Sequence, residues 1–294
     1  MEQEILDNYI KSGKIASEAR EYGKSLIKIG ASLLEVSDLI EKKIIELGGE
    51  MAFPAQISLN DIAAHYCADH DDKTVFKKGD VCKLDIGVHV DGYVADTACT
   101  VDLGDNSELI KASEEALNNA IKIIKPGVSL GEIGRVINET IQKHNLSPIR
   151  NLSGHGVGRY IIHGPPTIPN FDTGDKTELK EDDIIAIEPF ATNGAGIIYE
   201  TDKSDIFSMV SKKPVRSPIT REILKDIEKY NDLPFTTRWL LKKYPLFKVS
   251  FALRELMQIG VIRNYPPLPD KSHGLVSQAE HTIIVRDKPI VTTL

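Results

Sequence analysis

Several features are missing from this sequence of 294 residues, and each absence excludes a class of protein. No run of about 18 apolar residues occurs, so we expect no transmembrane helix and no membrane partner. Lysine and arginine form no basic stripe and the net charge is −7, so we expect no nucleic-acid-specific site. The N-terminal stretch MEQEILDNYIKSGK is polar and acidic, which argues against a secretory signal and for a cytoplasmic protein.

Cysteine is also scarce. Cys67, Cys82 and Cys99 are odd in number and form no CxxC pair, which predicts reduced, mostly buried thiols. What the chain does contain is the composition of a globular protein, with 41% apolar and 27% charged residues. At this length we expect one large domain or two ordinary ones, with ample material for a core.

An internal repeat organises the first half of the chain. Residues 27–36 read IKIGASLLEV and residues 124–133 read IKPGVSLGEI, with six of ten positions identical at an offset of 97. Each copy follows a helical segment and opens a second amphipathic helix, at about 35–47 and 132–144. Ser32 with Glu35, and Ser129 with Glu132, have the spacing of capping boxes. The repeat predicts two helix–helix–strand units that face each other across a cleft.

A β-hairpin is predicted between the two copies, in VCKLDIGVHVDGYVADTACTV. Asp91-Gly92 suits a two-residue type I′ turn, which pairs Gly87 with Asp96. Asp85 lies two residues from Gly87 on the same face, so Asp85 and Asp96 become diagonal neighbours. Two adjacent carboxylates on a buried strand would repel each other without a cation. The hairpin alone leaves a solvated polar face as the alternative.

Five residues of metal-ligand type stand out when the chain is read as a whole. They are Asp85 in KLDIG, Asp96 in VADTA, His155 in LSGHGVGRY, Glu188 in AIEPFA and Glu280 in QAEHT. Four carboxylates and one imidazole suit hard or borderline divalent cations better than a closed cysteine-rich zinc site does. Each residue alone has an ordinary structural explanation, but together they indicate a two-metal hydrolase site. Two such cations can activate water and polarise a carbonyl together.

These motifs make the chain recognisable. It resembles the methionine aminopeptidases of metallopeptidase family M24, specifically the type II branch in its short archaeal form. The motifs that carry the resemblance occur in order along essentially the whole chain: FPAQISLNDIAAHY, KLDIGVHVDGYVADTACTV, NLSGHGVGRYIIHG, AIEPFAT, LPFTTRWL, YPPL and QAEHTIIV. The resemblance implies an α/β (α+β) pita-bread fold of two pseudo-symmetric halves. It also implies a single catalytic domain over 1–294, within which the helical texture of about 212–266 forms an insertion subdomain.

The same resemblance implies a role for each ligand. Asp85 would chelate one metal, Asp96 and Glu280 would bridge both, and His155 and Glu188 would complete the other. Two divalent ions per chain are implied, and the ligand set would accept Co, Mn, Fe, Zn or Ni. Glu188 matches the family position that also shuttles protons.

The resemblance further implies how substrate is held. His65 and His163 match the two family histidines that contact the scissile amide and its carbonyl oxygen. Phe53, Ile162 and Tyr265 match positions that line the pocket for the first side chain. The implied function is co-translational removal of the N-terminal methionine from nascent proteins whose second residue is small. Water activated by the two metals would attack the first peptide bond.

The chain departs from the family in two places. The family usually has Phe before the last glutamate, whereas this chain has Ala279, which we expect to remove bulk near the site. The charged N-terminal extension of eukaryotic type II members is missing, so ribosome association through such an extension is not carried over. The resemblance then implies a transient ribosome contact and a monomer.

Two alternative functions stay open. One is a proline-directed peptidase of the same fold, which the helical insertion and the lack of a large domain before residue 85 argue against. The other is a non-catalytic pita-bread binding protein, a class that typically loses metal ligands, whereas all five are intact here.

Overall fold

The computed structural model describes all 294 residues, from Met1 to Leu294. The chain contains seven α-helices and fourteen strands, which follow one another in short runs of each kind. The helices are α1 (Gln3–Leu26), α2 (Leu33–Glu46), α3 (Ser107–Ile123), α4 (Leu130–Lys143), α5 (Pro218–Ile227), α6 (Thr237–Leu241) and α7 (Leu246–Gln258), with one 3₁₀ turn at Glu228–Tyr230. None of the helices is both long and apolar enough to cross a bilayer.

The strands form four sheets. In chain order they are β1 (Glu50–Leu59), β2 (Val81–Val90), β3 (Tyr93–Asp102), β4 (Ser147–Pro148), β5 (Ser153–Gly158), β6 (Ile161–Pro169), β7 (Ile184–Ile187), β8 (Phe190–Thr192), β9 (Ile206–Met209), β10 (Phe235–Thr236), β11 (Ile262–Asn264), β12 (Val276–Gln278), β13 (His281–Ile284) and β14 (Ile290–Val291). The sheets have the orders β1-β2-β3, β14-β13-β7-β5-β6, β12-β8-β4 and β10-β9-β11.

The first half packs α1 and α2 on one face of the sheet β1-β2-β3. The even-numbered residues of β2, from Cys82 to Val90, join a buried apolar cluster with both helices. Because side chains alternate across a strand, the odd-numbered residues face the other side of the sheet. Asp85 is one of them, so the hydrophobic pattern of β2 itself turns this carboxylate away from the helices.

The second half repeats the arrangement with α3 and α4 against β7 and β13. The predicted repeat is confirmed down to its hydrogen bonds. Gly30 and Gly127 both have φ of 87°, a left-handed conformation that glycine adopts without steric cost. The Gly30 amide donates to the carbonyl of Phe76 and the Gly127 amide to that of Leu179, each at 2.8 Å.

The predicted helix starts are confirmed as well. The Ser32 and Ser129 hydroxyls cap α2 and α4 by accepting from the amides of Glu35 and Glu132. The structure records this half of each capping box, and it satisfies one amide that the first helical turn leaves without a partner.

A seam joins the two halves where β3 meets the segment β12–β13. One antiparallel bridge pairs Ala98 with Glu280. On either side of it, a threonine hydroxyl replaces the missing ladder bonds. Thr100 Oγ1 donates to the carbonyl of Gln278 at 2.7 Å and accepts its amide at 2.8 Å, and Thr282 does the same for Asp96 at 2.8 Å in both directions. The seam fixes β13 against β3.

The segment between β8 and β12 forms a separate layer. Strands β9, β10 and β11 make one small sheet, and α5, α6 and α7 pack with it into their own apolar cluster. Strands β8 and β12 pair on either side of this segment, with Phe190 opposite Gln278. The chain therefore leaves a sheet, builds the helical layer and returns to the same sheet.

Candidate metal centre and substrate cavity

The predicted hairpin is confirmed with its register. Asp91 and Gly92 have φ of 50° and 85°, as a type I′ turn requires, and Gly87 pairs with Asp96. Asp85 pairs with Ala98, so it lies two residues from Gly87 on the same face of the hairpin. The local turn chemistry thus places both carboxylates side by side.

The seam brings a third carboxylate to this pair. Because Glu280 bridges Ala98, its side chain lies beside that of Asp96, and the two carboxyl groups are in contact. Candidate ligand atoms of Asp96, His155 and Glu280 all lie within 4.8 Å of one another, and all three residues are buried.

Strand β5 and the link between β7 and β8 supply the other two candidates. His155 Nε2 lies 3.6 Å from Asp96 Oδ2 and 3.8 Å from Glu188 Oε1. Glycines on both sides of His155 let β5 approach its neighbours: a Cβ at Gly154 would lie 2.2 Å from the carbonyl oxygen of Ala186. Close strand packing therefore explains why the histidine is flanked by glycine.

Burial dominates the electrostatics of this cluster. It raises the pKa of Asp85 to about 7, against a partial offset from the Gln278 hydrogen bond. Burial, with the neighbouring carboxylates adding to it, raises the pKa of Asp96, Glu188 and Glu280 well above the usual range. Burial also lowers the pKa of His155 to about 3, so its imidazole is neutral at physiological pH. The raised pKa values mean that this cluster disfavours the ionised carboxylates, and a bound cation would favour them. The neutral imidazole is already the form that binds a metal.

Hydrogen bonding gives an independent test of whether cations fit. Asp85 Oδ1, Asp96 Oδ1 and Glu280 Oε2 are buried and have no hydrogen-bond partner. A buried polar atom without a partner is costly, and metal coordination is one of the few ways to satisfy it. The donor set of oxygens and one nitrogen therefore fits divalent cations.

One cavity of about 180 Å³ opens onto this cluster. Every residue predicted from sequence for the site lines it: Phe53, His65, Asp85, Asp96, His155, Ile162, His163, Glu188, Tyr265 and Glu280. They come from both halves and from the end of the helical layer, so only the tertiary fold could bring them together.

An arc of neighbouring rings, beginning at His155, lines the cavity next to the carboxylates. The rings of His155 and His163 are 4.7 Å apart, and Tyr265 lies 6.1 Å from His163 and 5.7 Å from His65. Burial, with the His163 ring adding to it, lowers the pKa of His65 to about 4. Desolvation by the surrounding protein, with the Arg263 charge adding to it, also lowers the pKa of His163, although its side chain stays accessible from the cavity. Both imidazoles are therefore neutral and can donate or accept one hydrogen bond.

Two glutamines at this site were missed by sequence reasoning. Gln278 is fully buried and its Nε2 donates to Asp85 Oδ2 at 3.3 Å. Gln56 lines the cavity and its Oε1 accepts from the His65 amide at 2.9 Å. Gln278 lies two residues from Glu280, and period-two alternation could have placed it on the same face. No comparable signal marks Gln56.

The expectation for Ala279 is wrong. Ala279 does not line the substrate cavity; it packs in the apolar cluster under α3 and α4 and borders a different hollow, beside Arg20 and Cys99. Its side chain points away from that of Glu280 because neighbouring residues in extended chain alternate. His281, on the other side of Glu280, also faces away from the cavity, towards Arg20 and Thr293.

The other histidines lie outside the cavity. His70 has candidate ligand atoms near those of Asp69 and Asp71, but His70 and Asp71 are exposed and Asp69 is half-buried, so the three form only an open acidic cluster on one loop. The three cysteines are free, with Cys67 and Cys82 buried and Cys99 half-buried, as the sequence predicted.

The chain is similar to known proteins along its whole length. Residues 7–223 match metallopeptidase family M24. A methionine aminopeptidase from Archaeoglobus fulgidus is 48% identical over 288 residues, which cover 98% of this chain and 97% of the relative. One from Methanocaldococcus jannaschii is 44% identical over 295 residues, covering 100% of this chain and 99% of the relative.

Solved structures share the fold. The crystal structure of a methionine aminopeptidase from Thermotoga maritima matches with a TM-score of 0.73 at 23% identity, covering 100% of this chain and 98% of that one. A prolidase from Pyrococcus furiosus matches with a TM-score of 0.65 at 19% identity, covering 100% of this chain and 64% of that one. The predicted pita-bread architecture is confirmed by these neighbours.

Proposed function

The chain belongs to metallopeptidase family M24, and we propose that it removes the N-terminal methionine from nascent proteins whose second residue is small. The observation that carries the proposal is the single cavity lined by all five ligand-type residues, two neutral histidines and an apolar wall. A hydrolase that releases one terminal residue needs these parts within reach of one peptide bond.

We propose that two divalent ions are held by Asp85, Asp96, His155, Glu188 and Glu280. The unpartnered buried oxygens and the raised carboxyl pKa values support this assignment. Bound there, the cations would supply a nucleophilic water at neutral pH and polarise the scissile carbonyl. Asp96 and Glu280, whose carboxyl groups are in contact, would supply ligand oxygens to both ions.

The remaining chemistry falls to side chains of this chain. We assign to Glu188 the proton that the attacking water gives up and the leaving amine takes. Glu188 lines the cavity, so its carboxylate lies within reach of a peptide bound there, and a positioned carboxylate can transfer a proton in this way. His65 and His163 would contact the scissile amide and its carbonyl oxygen. A hydrogen bond donated to that oxygen stabilises the charge that develops on it in the transition state.

Specificity is assigned to the apolar end of the cavity. Phe53 and Ile162 are buried, and with the Tyr265 ring they offer a wall without charge. Such a wall suits an unbranched thioether, and sulfur–aromatic contacts contribute about 0.3–1.5 kcal/mol each. The second residue of the substrate would meet the histidine arc and the metal ligands, which leaves room for small side chains alone.

We further propose a cytoplasmic monomer that meets its substrates as they leave the ribosome, through a transient contact. Its free cysteines, two of them buried, suit a reducing compartment. Nascent chains are the proteins that still carry their initiator methionine.

Release of the first residue from two peptide series tests the function. With Mn²⁺ or Co²⁺ present, Met-Ala-Ser should be cleaved fastest in the series X-Ala-Ser, norleucine more slowly, and Lys, Asp or Pro hardly at all. In the series Met-X-Ser, turnover should fall as X becomes larger. One methylene is worth only about 1–3 kcal/mol in an apolar pocket, so norleucine is the informative neighbour.

The same series separates the alternatives. Faster cleavage of Leu-Pro or of X-Pro peptides than of Met-Ala-Ser would point to a proline-directed peptidase. Loss of all turnover in protein with bound metal would point to a non-catalytic binding protein.

A further inference from the structure

Gln56 is a cavity residue that the assigned chemistry leaves without a task. It lies on β1 opposite Asp85 and is 7% exposed. The register of β1 shifts between Phe53 and Gln56, and such an irregularity re-aims the side chains that follow it. Gln56 consequently lines the cavity beside Asp85 and His65.

The amide of Gln56 is committed to the backbone of His65. Its Oε1 accepts the His65 N–H at 2.9 Å. His65 has φ of 68°, a left-handed conformation that is uncommon for residues other than glycine and carries an energetic cost. The Gln56 bond acts on this strained residue, so it helps to set the direction in which the imidazole leaves the backbone.

Few contacts orient the His65 imidazole from its own end. Its Nδ1 is buried without a hydrogen-bond partner, and the ring meets Tyr265 edge-on at 5.7 Å. Its other polar contact is to the carbonyl of Pro266. The orientation of the imidazole therefore depends largely on the His65 backbone, and so on the hydrogen bond from that backbone to Gln56.

The next residue of the loop is held independently. Tyr66 donates its amide to Ser58 Oγ at 3.2 Å, and its carbonyl accepts from the Ile57 amide at 3.0 Å. Because these bonds do not involve Gln56, the loop keeps its place on β1 when the Gln56 amide is removed. Ser58 makes the same kind of bond one residue further on but does not line the cavity.

We propose that Gln56 is a positioning residue that sets the His65 imidazole for catalysis, acting through the His65 backbone. The proposal rests on the proposed aminopeptidase function. It predicts that Gln56 affects turnover only while His65 carries its imidazole, and that it leaves the metal ligands unaffected.

A double-mutant cycle tests this with the full-length protein, Mn²⁺ and Met-Ala-Ser. Gln56→Met keeps the length of the side chain but removes the acceptor. It should lower kcat about ten-fold with KM changed less than three-fold, the size expected when a reacting group loses its alignment. His65→Ala should lower kcat further. In the His65→Ala background, Gln56→Met should change kcat less than two-fold. Ser58→Ala is the matched control and should leave kcat within two-fold of wild type.

Each other outcome has a definite meaning. Equal effects of Gln56→Met with and without the His65 imidazole, or an unchanged kcat in active protein, would overturn the inference. Wild-type protein that releases no methionine would instead refute the proposed function. Loss of bound metal in Gln56→Met would also overturn the inference, since it would show an action on the ligands. If Gln56→Met does not fold, Gln56→Asn, which withdraws the amide by one methylene, is read by the same criteria.

Discussion

At the scale of single residues, the site is shaped by side chains that the fold holds in unfavourable surroundings. Asp85 is crowded with other carboxylates, and one of its oxygens is buried without a partner. Gly87 lies against an aromatic ring, and Asp205 is largely removed from water. Each of these three residues gives one prediction.

Replacing Asp85 by Asn removes one anionic oxygen from the candidate ligand set. We expect most of the turnover of Met-Ala-Ser to be lost, together with part of the bound Mn²⁺, measured by steady-state kinetics and metal analysis. Asp91→Asn on the same hairpin is the control, because asparagine also suits the left-handed turn position. Near wild-type turnover with two metals bound would refute the assignment of Asp85.

Gly87 is the close neighbour of Phe53 in the cavity wall. A Cβ at position 87 would lie 2.2 Å from Phe53 Cε1, so Gly87→Ala must displace the ring. Since Phe53 lines the cavity, we expect KM for Met-Ala-Ser to rise about ten-fold or more, with a smaller change in kcat. The double variant Gly87→Ala/Phe53→Leu should recover part of the loss. An unchanged KM would show that Phe53 does not shape the pocket.

Asp205 gives a pH-dependent prediction. Burial, with Asp69 adding to it, raises its pKa to about 6, from 3.8 in the unfolded chain. The folded state therefore binds more protons between these values, and the carboxylate destabilises the fold progressively as pH rises through that window. Asp205→Asn should raise the Tm at pH 7 but not at pH 3.5, measured by thermal unfolding. The exposed Asp202→Asn is the control; an equal gain at both pH values for Asp205→Asn would contradict the explanation.

At the scale of elements, the helical layer must be fixed to the first half to wall the cavity. Ile206, Pro234 and Tyr265, from or next to its strands, line the cavity. The layer is tied down by α6, where Arg238 makes a bidentate ion pair with Glu41 of α2 at 2.7 and 2.9 Å. Both side chains are only 5% exposed. The extent of the insertion subdomain, 212–266, stays a proposal. Strand β9 lies before that range and pairs with β11, which lies inside it.

Breaking this ion pair should loosen the layer. Arg238→Met leaves the buried Glu41 carboxylate without its charged partner, with only the Trp239 indole N–H still donating to it. Removing one partner of a comparable buried pair costs about 3–5 kcal/mol. We expect a corresponding loss in the free energy of unfolding, measured with urea. Arg135→Met, which breaks an exposed pair with Glu139 on α4, should cost less than about 1 kcal/mol. Similar losses in both variants would contradict a special role for the buried pair.

At the scale of the whole molecule, the candidate metal centre lies where the two halves meet. Asp85 and Asp96 come from the first half, His155 and Glu188 from the second, and Glu280 from the seam between them. The halves are thus pressed together around carboxylates that repel one another in the absence of cations. Ligand occupancy and global stability should be linked.

Metal binding should therefore raise the stability of the whole chain. A ligand present at 100 times its Kd stabilises the fold by about 2.7 kcal/mol. We expect the Tm of chelator-treated protein to rise with Mn²⁺ concentration, measured by calorimetry, and the Asp91→Asn control to respond as wild type. Asp85→Asn should respond less. A Tm independent of Mn²⁺ would indicate that the ligands do not join the halves through a cation.

Local chemistry explains what the sequence by itself determined. Turn residues fixed the β2–β3 register, serine caps fixed the starts of α2 and α4, and alternation put Asp85 and Asp96 on one face. These features depend on a few neighbouring residues, so the chain specifies them without reference to the rest of the fold. The motif resemblance then supplied the family and the activity.

Contacts between distant segments were decided only by the tertiary structure. The Ala98–Glu280 bridge, the packing of Ala279 under α3 and α4 and the bond from Gln56 to the His65 amide each join segments whose contact no local pattern states. Strand pairing and loop docking depend on which surfaces are buried together, and burial is a property of the folded chain. The candidate metal-ligand residues could therefore be predicted from the sequence, whereas the residues that support and position them could be found only in the structure.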